Sequence, residues 1–63
     1  MNPEKKLANN NARIKEILEN MLYLKKHNMV QYHKTYQHNV NLLKQLKTEN
    51  AIYKNMLTWY NVA

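Results

Sequence analysis

Apolar and aromatic side chains recur every three or four residues from Ile14 to Tyr60, the spacing that gathers them along one face of an α-helix. Placing Leu22, Met29, Tyr36, Leu43, Asn50 and Leu57 at heptad position a puts Leu18, Lys25, Tyr32, Asn39, Leu46, Tyr53 and Tyr60 at d. Ten of these thirteen positions are apolar or aromatic. The frame drifts, however. Ile14, Ile17 and Met21 make an earlier stripe displaced by one position, and Val40 competes with Asn39 for the seam. Leu7, Leu18, Met29, Val40, Ala51 and Val62, eleven residues apart, follow the same drift. The pattern predicts an all-α chain, a long amphipathic helix that forms a coiled coil or helical bundle with partner chains.

Asn2-Pro3-Glu4 is a helix opening: Asn accepts from orphan amides, Pro sits where its missing N–H is harmless, and Glu meets the positive end of the dipole. Asn9-Asn10-Asn11 offers a second start, so residues 1–11 are expected to cap or fray and residues 12–63 to form the helical interaction segment. Nothing from Ala12 to Tyr60 forces a stop, and an unbroken helix there would be about 75 Å long. The alternative is a two-helix hairpin, for which residues 25–28, Lys25-Lys26-His27-Asn28, are the one place a turn fits.

Leu43, Leu46, Asn50, Tyr53, Leu57 and Tyr60 read as a short zipper-like seam covering Asn41 to Tyr60, in which Asn50 at an a site sets register. In a parallel self-pair Glu49 would meet Lys54, but the lanes around it, with Lys26, His33 and Lys47, supply no further ion pairs. Tyr at four seam positions also asks for partners to its hydroxyls. A hetero-oligomer with an acidic partner helix is therefore expected over a homo-oligomer. Leu18, Leu22, Met29, Leu43, Leu46 and Leu57 are the expected burial, with Tyr32, Tyr36 and Tyr53 beside them. Trp59 and Tyr60 are the expected anchors at one end.

Composition narrows the chemistry. Ten Lys and Arg against four Glu give +6, and 44% hydrophobic residues set the chain apart from charge-driven disorder. There is no Gly, Cys, Ser, Asp or Phe, so disulfides, thiolate metal sites and Ser-His-Asp catalysis cannot be written. No enzyme, cofactor or small-molecule substrate is expected. The longest clearly apolar run, Met21-Leu22-Tyr23-Leu24, is too short for a bilayer, and a membrane partner is not expected. An intracellular chain, in cytoplasm or nucleus, is the expectation. Eleven Asn and nine Lys resemble the bias of an AT-rich coding sequence, and the Asn run at 9–11 is given little functional weight.

No acid lies between Glu19 and Glu49. On one continuous helix Lys26, His33, Lys44 and Lys47 would fall on a common side, which makes a nucleic-acid-binding helix the competing reading. His27, His33 and His38 have spacings of six and five residues, unlike the i, i+4 pair that chelates, so no metal is expected. The function expected from sequence is a non-catalytic helical interaction or oligomerisation module, a small subunit or segment of a larger assembly.

Overall fold

The computed structural model describes residues 2–62, with side chains through Trp59. It is a hairpin of two α-helices, α1 over Pro3–Lys26 (24 residues) and α2 over Val30–Val62 (33 residues). The helix opening at Asn2-Pro3-Glu4 is realised: the Asn2 side chain accepts from the amides of Glu4 and Lys5 at 3.1 and 3.3 Å, and Pro3 begins the helix. The run Asn9-Asn10-Asn11 lies inside α1 and starts nothing.

In the single chain the helix is not unbroken from Ala12 to Tyr60. Its interruption is a Schellman cap at His27-Asn28-Met29: the amide of Met29 donates to Leu24 O at 3.0 Å, and that of Asn28 to Lys25 O at 3.1 Å. Asn28 sits at φ 52°, the left-handed conformation usually given to glycine at this position. With no glycine in the chain, Asn is the residue type best able to take it. The turn thus lies at the end of the window that the alternative reading named. α2 then starts without a side-chain cap, its first turn closed by the amide of Tyr32 on Met29 O at 3.0 Å.

The hairpin measures 51 × 16 × 15 Å with a radius of gyration of 14.8 Å, against about 11 Å for a compact domain of this length. It is a short rod with a thin interior. Within α1 the covered side chains are Pro3, Leu7, Asn10, Ile14, Ile17, Met21 and Leu24, which alternate four and three residues apart and so hold one line against α2. Ile17 and Leu24 are the buried hydrophobics, at 8% and 9% exposure. On α2 the matching line is Tyr32, Thr35, Asn39, Leu42, Leu46, Glu49, Tyr53 and Met56, with Val40, Leu43, Asn50 and Leu57 beside it.

On α2 the heptad frame includes the covered Tyr32, Asn39, Leu46 and Tyr53 but also the exposed Tyr36, and omits Thr35, Leu42, Glu49 and Met56; on α1 it is one residue out. The stripe that looked displaced, Ile14, Ile17 and Met21, is the α1 seam, whereas Leu18, Leu22 and Lys25 turn away from it. The physical reason is the spacing: from Met21 through Leu24 and Asn28 to Tyr32 the steps are three, four and four, so a strict seven-residue frame carried back from α2 falls one residue out on α1. The surface reflects this. The chain exposes 5273 Å², whereas a compact protein of its 7.6 kDa would expose about 4,300 Å².

Candidate interaction surface

The two flanks of the hairpin differ. On one, Arg13, Glu16 and Asn20 of α1 face His38, Asn39 and Leu42 of α2 across a shallow cleft with Ile17 at its floor. Each residue advances about 100° around a helix, so Leu18 and Leu22 emerge on the opposite side of α1. By the same count Tyr36, Val40 and Leu43 emerge on the opposite side of α2. Leu18 is 51% exposed and Leu22 67%; Tyr36 is also exposed, and Ile14, Val40 and Leu43 are half-buried at their base. The result is one apolar flank made by both helices.

Cations border it. Lys15 and Lys25 on α1 and Lys44 and Lys47 on α2 are all exposed, and by the same 100° count fall on this side of the hairpin. Lys15 lies 4.0 Å from Glu19, an exposed i, i+4 pair of the kind worth a few tenths of a kcal/mol. Near the turn, Leu24, Lys25, Asn28, Met29, Tyr32 and His33 line a small depression that continues the flank. Aromatic rings cluster there: Tyr32 meets Tyr36 edge-on at 5.7 Å and His33 at 5.2 Å, while Tyr23 and His27 lie 4.4 Å apart.

At the other end the two helices are tied by amides. Asn50, 7% exposed, donates from Nδ2 to Asn11 Oδ1 at 3.0 Å, and Asn10 Nδ2 donates to Glu49 Oε1 at 3.2 Å. The buried Asn50 Oδ1 has no partner among the described residues. Asn50 thus bonds to a second helix, and that helix belongs to its own chain. Asn11, in the run given little functional weight, is its partner, and Asn10 is the partner of Glu49. The signal for them was their place: Asn10 stands on the α1 line between Leu7 and Ile14.

Of the residues expected to meet a partner, Met29, Tyr32, Leu43, Leu46, Asn50, Tyr53 and Leu57 are wholly or partly covered within the hairpin. Leu18, Leu22, Tyr36 and Trp59 remain exposed, Trp59 at 79%. The Tyr60 side chain lies outside the described residues. The basic set is divided: Lys26 ends α1, so its phase relation to the others along one continuous helix is lost, while His33, Lys44 and Lys47 share one edge of α2.

The hydroxyls of Thr35, Thr48 and Thr58 donate to backbone carbonyls four residues back, at 2.6, 2.9 and 3.1 Å. Among the described residues no three His, Asp or Glu side chains gather at metal-binding distance, and no helix is long and apolar enough to cross a membrane. No family model, curated protein or solved structure matches this chain.

Proposed function

We propose that this chain is a small helical interaction module, and that its apolar flank receives an acidic amphipathic helix of another protein within a larger assembly. The observation that carries this is the pair Leu18 and Leu22, a full turn apart and more than half exposed beside Tyr36 on the neighbouring helix.

Energetic scale favours a partner of opposite charge. Covering Leu18, Leu22 and Tyr36 supplies about 3 to 5 kcal/mol, since each is already partly covered, while association itself costs at least about 4 kcal/mol. Apolar contact alone is close to break-even. Carboxylates placed against Lys15, Lys25, Lys44 and Lys47 add attraction, speed encounter and select against basic partners.

Titration of the chain with a designed Leu-faced, Glu-flanked helical peptide, followed by calorimetry, tests this. Binding is expected for that peptide, with at least about tenfold loss when its Glu are replaced by Lys or when the chain carries Leu22→Glu. Leu22 is 67% exposed, so Leu22→Glu leaves the helical circular dichroism intact. Unchanged affinity in both comparisons would refute the reading.

One observation favours a second reading. His33, Lys44 and Lys47 share an edge of α2 with Tyr36 nearby, so a nucleic-acid strand laid along that edge would meet cations and a stacking ring. This predicts single-strand binding that weakens with salt at a logarithmic slope of about −1.4, as two phosphates neutralised by Lys44 and Lys47 require, and that Lys47→Glu reduces. A slope near zero removes it.

A further inference from the structure

We infer that two copies of this chain exchange their first helices. The turn opens, each chain becomes one continuous helix, and α1 of one copy packs along α2 of the other in an antiparallel pair. The turn is where the hairpin is least committed. His27, Asn28 and Met29 are the residues between the two helices, and the segment from Lys25 to Gln31 contains neither Gly nor Pro. The reversal depends on Asn28 at φ 52°, which glycine adopts freely and a residue with a Cβ does not. In the opened form Asn28 leaves that conformation and the three turn residues gain intrahelical hydrogen bonds.

Register permits the exchange. In a continuous helix Met21, Leu24, Asn28 and Tyr32 succeed one another by three, four and four residues, an eleven-residue step that keeps them on one face while locally relaxing the left-handed supercoil. The line by which α1 faces α2, and the line by which α2 faces α1, thereby become a single line along one rod. Every contact between the helices can then re-form between copies, including Asn10 with Glu49 and Asn11 with Asn50. Those two pairs place the crossing point near residue 30, so Asn28 of each copy comes opposite Tyr32 of the other at the centre. That contact exists only in the pair. A short hinge holding one strained residue, in a hairpin that buries only Ile17 and Leu24 as hydrophobics among the described residues, is a setting in which exchange costs little.

Spin labels at the exposed positions Asn9→Cys and Thr48→Cys, in a chain without native cysteine, separate the two forms. In the hairpin a doubly labelled chain diluted into unlabelled protein gives a short distance, that of neighbouring helices about 10 Å apart between axes. In the exchanged dimer the same chain gives about 58 Å, and a mixture of the two singly labelled chains gives the short distance instead. Sedimentation equilibrium from micromolar to millimolar concentration should show the dimer mass growing in step with the long distance. Asn28→Gly should lower the dimerisation constant about tenfold or more, and Asn28→Ala should raise it by a similar factor, because each changes the turn in both chains. Should Asn28→Ala fail to fold by circular dichroism, the unmodified chain and Asn28→Gly still decide. A monomer mass at every concentration overturns the inference. So does a dimer whose doubly labelled chain keeps the short distance, since that is two intact hairpins side by side.

Discussion

The half of the hairpin beside the turn is held by burial, and the open half by amides. Near the turn Ile17 and Leu24 are covered, and their neighbours Met21, Tyr32 and Leu42 are at least half-covered. Toward the open end the cross-helix contacts are Asn11 with Asn50 and Asn10 with Glu49, flanked by Leu7, Tyr53 and Leu57. Burial of hydrocarbon is non-directional, and would tolerate a slip of one helix along the other. A buried amide tolerates none, because a slip leaves it without a partner at a cost of about 1 to 3 kcal/mol. One half supplies stability and the other alignment.

The comparison breaks most sharply at Ile17. Removing its side chain beyond Cβ should cost about 2 to 4 kcal/mol, a large share of the roughly 3 to 9 kcal/mol that a chain of this length has. Ile17→Ala is thus expected to melt at least about 8 °C below the parent by circular dichroism. Leu18→Ala, one residue along and 51% exposed, should stay within about 0.5 kcal/mol of the parent. Equal effects at the two positions would mean that the continuous heptad frame, with Leu18 inside, describes the folded chain better than the hairpin does.

How much of this was legible follows from the same two residues. Helical content, the Asn2 cap and the α2 line through Tyr32, Asn39, Leu46 and Tyr53 were readable, because each depends on local spacing or on one residue type at one place. The stop at Asn28 was less so. Left-handed caps are usually glycine, and an Asn among eleven carries little contrast. Carrying the strict seven-residue frame of α2 backward across the three-four-four step from Met21 to Tyr32 puts it one residue out of phase in α1. It then buries Leu18 and Leu22 on paper and exposes Ile17. The amide ties were hidden for a different reason: Asn10 and Asn11 gain meaning only once a particular antiparallel register brings residues 39 apart together.

Asn50 offers a second, smaller test with the opposite sign. Its Nδ2 is paired and its Oδ1 is not, so replacing it by Leu removes an unmet buried acceptor and adds apolar contact. Asn50→Leu should raise stability by about 1 kcal/mol in thermal melts, or 4 to 8 °C for a domain of this size. The gain should come with looser alignment, seen as broadened spin-label distance distributions between residues 9 and 48. A stabilised variant with an unchanged, narrow distribution would move the alignment role to Asn10 and Glu49.

The smallest expected effect, at Glu19, gains its meaning from a comparison between two glutamates on the same rod. Glu19 meets Lys15 at 4.0 Å in full contact with water, with 68% of its side chain exposed, and belongs to α1 alone. Glu49 is half-buried, accepts from Asn10 across the helix interface and from Gln45 Nε2 at 3.5 Å within α2, and so belongs to both helices. Glu19→Gln gives up one screened ion pair, about 0.3 kcal/mol and a fall of about 1 to 2 °C, most of which should vanish in molar salt. Glu49→Ala removes a charge-assisted acceptor and leaves the Asn10 amide half-covered, so a fall of about 1 to 2 kcal/mol that salt does not erase is expected. Because removing either acid raises the net charge from +6 to +7, general charge repulsion affects both alike. The difference between the two melts isolates the contact that joins α1 to α2.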